Sequence, residues 1–193
     1  ISLIVEPDAE EPGTASVFVD GSLNGRPYRF LLDTGAARTC VSFDDYTTTF
    51  ASVEKNHSSG VFARNSDDLI TVPSLVVGPI YRSDFTLVRT GAAGTGMRSL
   101  IGMDLLKDFC CHFCFDVNRL LLDPDDALDD LYQALTLDQK YHPYVSVQLG
   151  DVSASAVWDT GASLTVVDTG FIQHHPQMFQ AAGYSTGTDS SGA

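Results

Sequence analysis

A four-residue motif that occurs twice, Asp-Thr-Gly-Ala, constrains this chain more than any other feature of its sequence. It stands at Asp33-Thr34-Gly35-Ala36 and again at Asp159-Thr160-Gly161-Ala162, which begins 126 residues later (159 − 33). An apolar run leads into each copy, Phe30-Leu31-Leu32 in the first and Ala156-Val157-Trp158 in the second. Glycine directly after threonine allows a turn that a side chain would obstruct. The sequence therefore predicts a duplicated unit in which a strand delivers one carboxylate into a turn.

Two carboxylates that such a duplication brings together have a defined chemistry. Like charges at contact distance disfavour each other, so the pair shares one proton and titrates as a unit. One carboxylate can then act as a general base toward a water molecule, while the protonated one polarises a carbonyl group. The motifs therefore predict Asp33 and Asp159 as a catalytic pair.

The two motifs resemble the active-site turns of retropepsin-like and pepsin-like aspartic proteases, in which two lobes or two identical subunits each donate one Asp. The resemblance extends to Leu100-Ile101-Gly102-Met103-Asp104-Leu105-Leu106, which is similar to the family's second landmark, two hydrophobic residues and a glycine that open a short helix. Residues 113–122 are similar to the hairpin that closes a bacterial retropepsin-like domain. Together these segments cover most of residues 15–123 and the start of a second copy.

The resemblance implies an all-β, bilobal fold with one complete lobe and the N-terminal half of a second. It also implies an aspartic endopeptidase that acts on peptide or protein substrates and uses no cofactor or metal. Thr34 and Thr160 are expected to brace the two turns against each other. Gly35 and Gly161 are expected to lie beside the substrate backbone.

Alanine follows glycine in both turns, at Ala36 and Ala162, where pepsin-like enzymes have Ser or Thr. One hydroxyl donor to each carboxylate is therefore absent. Since fewer donors stabilise the ionised form less, we expect a pH optimum less acid than that of pepsin.

The patterns around the motifs divide the chain into three predicted regions. Residues 1–123 form the first lobe, 124–143 a linker helix and 144–193 the N-terminal half of the second lobe. Residues 15–32 are predicted as a β-hairpin with Asn24-Gly25 at its turn. Pro124, directly after Asp123, is typical of a helix start, and apolar residues then follow at helical spacing.

Residues 51–70 occupy the place of the family's flap, a hairpin that closes over substrate. Ser58, Ser59 and Gly60, near its middle, are candidate substrate-binding residues. The segment lacks the Tyr that pepsin-like flaps carry. A surface hairpin without a role in binding is the alternative.

Two further patterns have simpler explanations. A third Asp-Thr-Gly, at 168–170, precedes a predicted helical turn, so Asp168 is interpreted as a helix cap. Cys111 and Cys114 have the spacing of a zinc half-site, with His112 between them. However, this segment is predicted as a strand, whose residues three apart face opposite sides. Free buried thiols are the interpretation, with a disulfide or a metal site as alternatives.

Composition limits the possible partners. The chain of 193 residues carries a net charge of −14, which argues against nucleic acid because its phosphates would be repelled. No apolar run approaches the length of a membrane span. The location stays open, and a secreted or periplasmic one is favoured.

The second copy reaches 34 residues past Asp159 (193 − 159), near the place where the first copy has its flap. Half a lobe would leave strand edges unpaired and apolar faces bare. We therefore expect another polypeptide, the C-terminal fragment of a precursor cleaved in an exposed loop, to supply the missing half. A truncated chain and a second lobe completed by exchange between two copies are the alternatives.

Two rival functions stay open at this point. The first is a catalytically silent peptide-binding or assembly module that kept the fold. The second is a homodimeric protease that pairs Asp33 with Asp33 of another copy and leaves Asp159 for a separate role.

Overall fold

The computed structural model describes residues 1–9, 12–59, 64–90, 98–123 and 135–184, without the side chains of 58, 59, 64 and 65. Within these ranges the chain forms β-strands with only short helical segments between them. The predicted all-β class is confirmed, whereas the division into lobes at 1–123, 124–143 and 144–193 stays a prediction. None of the described helices has the length and apolar character needed to cross a membrane.

The strands and helices follow one another in a simple order along the described chain. The strands are β1 (Ile4–Pro7), β2 (Ala15–Leu23), β3 (Arg26–Leu32), β4 (Cys40–Ser42), β5 (Ser52–Ser59), β6 (Arg64–Val77), β7 (Ile80–Thr90), β8 (Leu100–Ile101), β9 (Cys111–Cys114), β10 (Arg119–Leu122), β11 (Thr136–Leu137), β12 (Pro143–Leu149) and β13 (Val152–Val157). The helices are α1 (Met103–Leu106) and α2 (Thr169–His174), with 3₁₀ turns at Thr47–Thr49 and Pro176–Met178.

Eight strands form the main sheet, in the order β1-β2-β3-β8-β4-β7-β6-β5. Strand β2 also pairs with β6, so the sheet folds back on itself. The short β8 lies parallel to β3 and between β3 and β4. The residue that follows β3 therefore emerges from the middle of the sheet rather than from its edge.

The hairpin of β2 and β3 follows directly from the local sequence. Asn24 and Gly25 both have positive φ, at 46° and 81°, which is the conformation of a type I′ turn. Beyond the turn, Phe30, Leu31 and Leu32 are all buried, at 0%, 6% and 1% exposure. The predicted hairpin at 15–32 is confirmed, and its second strand passes through the core to the first motif.

The main core lies inside this folded sheet. Strands β2, β3, β6 and β7 contribute most of its side chains, and α1 and the hairpin of β9 and β10 cover one end. Leu120 on β10 is 1% exposed within it. The predicted closing hairpin is therefore part of the same hydrophobic core as the first motif.

The second copy forms a separate three-stranded sheet, β11-β12-β13. Its hairpin turns at Gly150, which has φ of 58°. In the range 135–184 the only residue classed as buried is Pro143, and the side chains of β13 alternate between half-buried and exposed. Most of the predicted linker helix, 124–134, lies outside the described residues, and β11 occupies part of the predicted linker.

Candidate active site

The first turn begins where β3 ends. Phe30 and Leu32 are enclosed in the core and carry Asp33 to the end of the strand. The N–H of Asp33 donates to the carbonyl oxygen of Ile101 on β8, at 3.0 Å. Asp33 therefore starts from a fixed point between two parallel strands, and its side chain is buried, at 5% exposure.

The segment identified as the second landmark holds the outgoing side of this turn. The N–H of Met103 donates to the carbonyl oxygen of Ala36, at 2.8 Å. Oδ1 of Asp104 accepts from both the N–H and the hydroxyl of Thr39, at 2.8 and 2.7 Å. The N–H of Gly102 donates to Oγ1 of Thr39, at 3.1 Å. The first turn is thus braced by hydrogen bonds from β8 and α1.

Asp104 and Thr39 are site residues that the sequence analysis did not assign. Burial raises the pKa of Asp104, and the hydrogen bonds from Thr39 offset part of that rise. The available signal was an acid two residues after the landmark glycine. That signal does not identify Thr39 as the partner, because the two residues lie 65 positions apart.

The two turns are locked together by their threonines. Oγ1 of Thr34 donates to the carbonyl oxygen of Trp158 at 2.6 Å and accepts from the N–H of Thr160 at 3.0 Å. In return, Oγ1 of Thr160 donates to the carbonyl oxygen of Leu32 at 2.7 Å and accepts from the N–H of Thr34 at 3.1 Å. Each hydroxyl therefore bonds both the strand end and the turn of the other copy.

The two carboxyl groups meet beside this contact. A Cβ atom at Gly35 would overlap the carboxylate of Asp159, and one at Gly161 would overlap that of Asp33. Each carboxylate thus lies beside the glycine of the opposite turn, and the N–H of Gly161 donates to Oδ1 of Asp159 at 2.8 Å. Any side chain at either glycine would have to displace the opposite carboxylate.

The pair has an uneven electrostatic environment. The pKa of Asp33 rises from 3.8 to about 7, first because of burial and then because of the charge and the hydrogen bond of Asp159. Asp159 is the less buried of the two. Cys40 lies near Asp33, and burial is the main reason that the pKa of its thiol rises to about 12. This thiol is therefore neutral wherever the pair titrates.

This arrangement suits acid–base chemistry. Two carboxyl groups in contact can hold one proton between them, so that one donates and the other accepts. Within the described ranges, no three His, Cys, Asp or Glu side chains are grouped to hold a metal ion. The four cysteines, Cys40, Cys110, Cys111 and Cys114, are free thiols, but the expected burial is wrong for three of them, since only Cys40 is buried.

The third Asp-Thr-Gly lies apart from the pair and has a structural role. Oδ1 of Asp168 accepts from the N–H of Phe171 at 2.8 Å, at the start of α2. Asp168 is therefore the N-cap of this helix, as its position in the sequence predicted.

The hairpin predicted as a flap is formed by β5 and β6. Leu69 on β6 packs in one buried cluster with Leu31 on β3, two residues before Asp33. Ser58 and Ser59 lie on β5, but their side chains and the whole of Gly60 lie outside the description. The substrate-binding role of these three residues stays a prediction.

Comparison with known proteins bears on the segment that carries the first turn. Residues 19–108 match the family described as gag-polyprotein putative aspartyl protease. Among solved structures, the chain is similar to a retropepsin-like aspartic protease from Rickettsia conorii, with 21% identity and a TM-score of 0.41. That similarity covers 61% of this chain and 85% of the other. No curated protein matches. The family match includes the first motif, at 33–36, and the landmark at 100–106, and it supports the resemblance to retropepsin-like aspartic proteases.

Proposed function

We propose that this chain is an aspartic endopeptidase whose catalytic pair is Asp33 and Asp159. The family match supports a protease. The observation that carries the proposal is the interlocked pair of turns, in which each carboxylate lies beside the glycine of the opposite turn. The residues at 159–162 lie outside the family match, so the pairing rests on the geometry alone.

The proposed reaction is the addition of water to a peptide carbonyl. Asp33, the more deeply buried member, holds the shared proton and donates it to the carbonyl oxygen. Asp159 takes a proton from the water, whose oxygen bonds to the carbonyl carbon. The tetrahedral intermediate then collapses: one of its two hydroxyl groups returns a proton to Asp33 as the carbonyl forms again, the C–N bond breaks, and the nitrogen leaves with the proton that Asp159 took from the water. One water is consumed, and the pair returns to its singly protonated state.

The substrate is proposed to be an extended peptide that lies across the pair. An extended chain presents backbone groups for hydrogen bonding and alternate side chains for separate pockets. The β5–β6 hairpin shares a buried cluster with β3, which supports its role as the cover over such a peptide. Gly35 and Gly161 leave the space around the carboxylates free of side chains.

Cleavage of a peptide library, read by mass spectrometry, tests the proposal. Asp33→Asn and Asp159→Asn should each lower the cleavage rate by ~10³-fold or more, because general acid and base catalysis are both lost. Asp168→Asn is the matched control, since asparagine is an equally good helix cap and the turn pair is untouched.

The same variants separate the rival functions. Activity that survives in Asp159→Asn but not in Asp33→Asn indicates a homodimeric protease, and its rate should then rise more steeply than linearly with protein concentration. Peptide that binds but is never cleaved by the wild-type protein indicates a silent binding module. Either result would overturn the proposed pairing.

We also propose that a second polypeptide covers the second turn. In the first copy, Leu31 and Cys40 both pair with Leu100 on β8 and are 6% and 7% exposed. Their counterparts 126 positions later, Val157 and Val166, are 37% and 63% exposed. Among the described residues, no strand pairs with either of them as β8 pairs with Leu31 and Cys40, which supports an apolar strand followed by glycine as the covering segment.

Native mass spectrometry tests this partner. A bound fragment distinct from this chain is the expected result, and a second copy would indicate exchange between two identical chains. An active, homogeneous species with the mass of a single chain would contradict the idea of any covering partner.

A further inference from the structure

Trp158, the residue before Asp159, is packed differently from its counterpart in the first copy. The counterpart is Leu32, which is 1% exposed inside the main core. Trp158 is only half-buried, because the described part of its own sheet provides no such core. Its ring instead packs edge-on against Phe113, with ring centroids 4.8 Å apart and an angle of 80° between the planes.

Phe113, on the other side of this contact, is itself packed against the main core. It lies on β9 directly opposite Leu120 of β10, which is 1% exposed. The ring of Phe113 packs against the main core on one side and stacks with Phe115 at 6.0 Å. Trp158, at the start of the second turn, therefore packs against a side chain that the main core holds in place.

The backbone of Trp158 transmits this contact to the catalytic pair. Its N–H donates to the carbonyl oxygen of Pro143 at 2.8 Å, and its carbonyl oxygen accepts from Oγ1 of Thr34 at 2.6 Å. A displacement of the indole would therefore distort the hydrogen bond from Thr34 and move Asp159, the next residue. We propose that Phe113 is a positioning residue, which holds the second turn against the first by packing its ring against Trp158. This inference rests on the proposed function.

Loss of the Phe113 ring should affect the chemical step more than substrate binding. The contact lies behind the second turn and acts through Trp158. Small displacements of catalytic groups lower the rate of the chemical step strongly, so kcat should fall by about tenfold or more in Phe113→Leu, while KM stays within about twofold. A purely structural role would instead lower the amount of folded enzyme and leave the kcat of the remainder unchanged.

The pH profile gives a second specific readout. The charge and the hydrogen bond of Asp159 are two of the causes that raise the pKa of Asp33, and burial is the first. When Asp159 moves away, the pKa of Asp33 falls and the alkaline limb of the pH–rate profile moves to lower pH.

The other titratable groups around the pair do not produce the same change. Cys40 stays neutral because its thiol pKa is about 12. Asp104 accepts hydrogen bonds from the N–H and the hydroxyl of Thr39. His112 and Cys114 flank Phe113 on β9, where successive side chains point to opposite faces.

The experiment compares three changes at Phe113 with one matched control. Phe113→Leu removes the ring, Phe113→Met removes it but leaves a flexible side chain that can fill an irregular gap in case the first variant folds poorly, and Phe113→Tyr keeps it. Phe85→Leu is the control, because Phe85 is also half-buried against the main core but on β7. The Leu and Met variants at 113 should show the lower kcat and the shifted alkaline limb, while Phe113→Tyr and Phe85→Leu should behave like the wild type.

A readout without catalysis separates this inference from the proposed function. Trp158 is the only tryptophan of the chain, so its emission reports the contact directly. Phe113→Leu should shift this emission to the red and increase quenching by acrylamide, and Phe85→Leu should do neither. A wild-type protein that cleaves nothing refutes the proposed function, while the emission still tests the contact. Wild-type kcat, pH profile and emission in Phe113→Leu, or equal effects in Phe85→Leu, would overturn the inference.

Discussion

The buried carboxyl group of Asp33 should give this protein a characteristic dependence of stability on pH. Its pKa is about 7 in the folded state, against 3.8 in the absence of these surroundings. Between these two values the folded state binds more protons than the unfolded one, so stability falls as pH rises. The contribution is fully present below about pH 4 and is lost as pH passes through about 7.

The size of this effect follows from the two pKa values. Each pKa unit corresponds to ~1.4 kcal/mol, so the difference gives a loss of ~4 kcal/mol between pH 4 and neutral pH. Since the side chain of Asp33 is only 5% exposed, solvent screening reduces this value little. Asp33→Asn cannot ionise. At neutral pH it should therefore be more stable than the wild type by up to ~4 kcal/mol, and at pH 4 the two should be nearly equal.

Urea unfolding at a series of pH values from 4 to 8 measures this difference. The emission of Trp158 reports the transition. The free energy of unfolding of the wild type minus that of Asp33→Asn cancels the pH dependence that the other groups contribute to both proteins. Asp159→Asn should give an intermediate curve, because it removes the charge of the neighbour but leaves the burial of Asp33. Parallel curves for the wild type and Asp33→Asn would refute the reasoning, since they would mean that Asp33 titrates alike in both states.

Three further substitutions and one pH–rate profile test other parts of the molecule. Thr34→Val removes two buried hydrogen bonds across the turns and should cost ~2–4 kcal/mol in urea unfolding, whereas Thr34→Ser keeps the hydroxyl and should cost less than ~1. Arg89→Met removes a donor from two backbone carbonyls and one of the three donors to Asp68, which keeps Lys55 and Ser52, so we expect a loss of ~1–3 kcal/mol, against less than ~1 kcal/mol for the exposed Arg29→Gln. Gly35→Ala should abolish peptide cleavage because its methyl group would overlap the opposite carboxylate, whereas Gly183→Ala, in open space, should not. The pH–rate profile should peak above about pH 3, and a maximum well below that value would contradict the proposed effect of the missing hydroxyl donors.

Features set by local geometry could be predicted from the sequence. Asn24 and Gly25 adopt positive φ because a two-residue hairpin turn requires it. Asp168 caps α2 because a short acceptor side chain satisfies an N–H three residues ahead. The repeated motif indicated the pairing of two turns, since the two copies can interlock through the same threonine. In each case the partner is a neighbour in sequence or an identical motif.

Features that depend on distant partners could not be predicted. Asp104 reaches Thr39, which lies 65 positions away, and Arg89 donates to the carbonyl oxygens of Thr47 and Phe50. A single sequence contains no signal that identifies such pairs, because many other acids and threonines in the chain could equally well be the partners. Their identity follows from the order of strands in the sheet, which places β8 between β3 and β4.

The two turns share a backbone pattern but differ in burial, and this difference decides how the pair works. Burial is the largest cause of the raised pKa of Asp33, and the brace from β8 and α1 produces that burial. Asp159 has no such cover among the described residues and is more exposed. A partner that covers the second turn would therefore bury Asp159 too, strengthen the repulsion between the carboxylates and raise the pH at which the pair loses its shared proton. Binding of such a partner should extend activity to higher pH, so the alkaline limb would report whether the partner is bound.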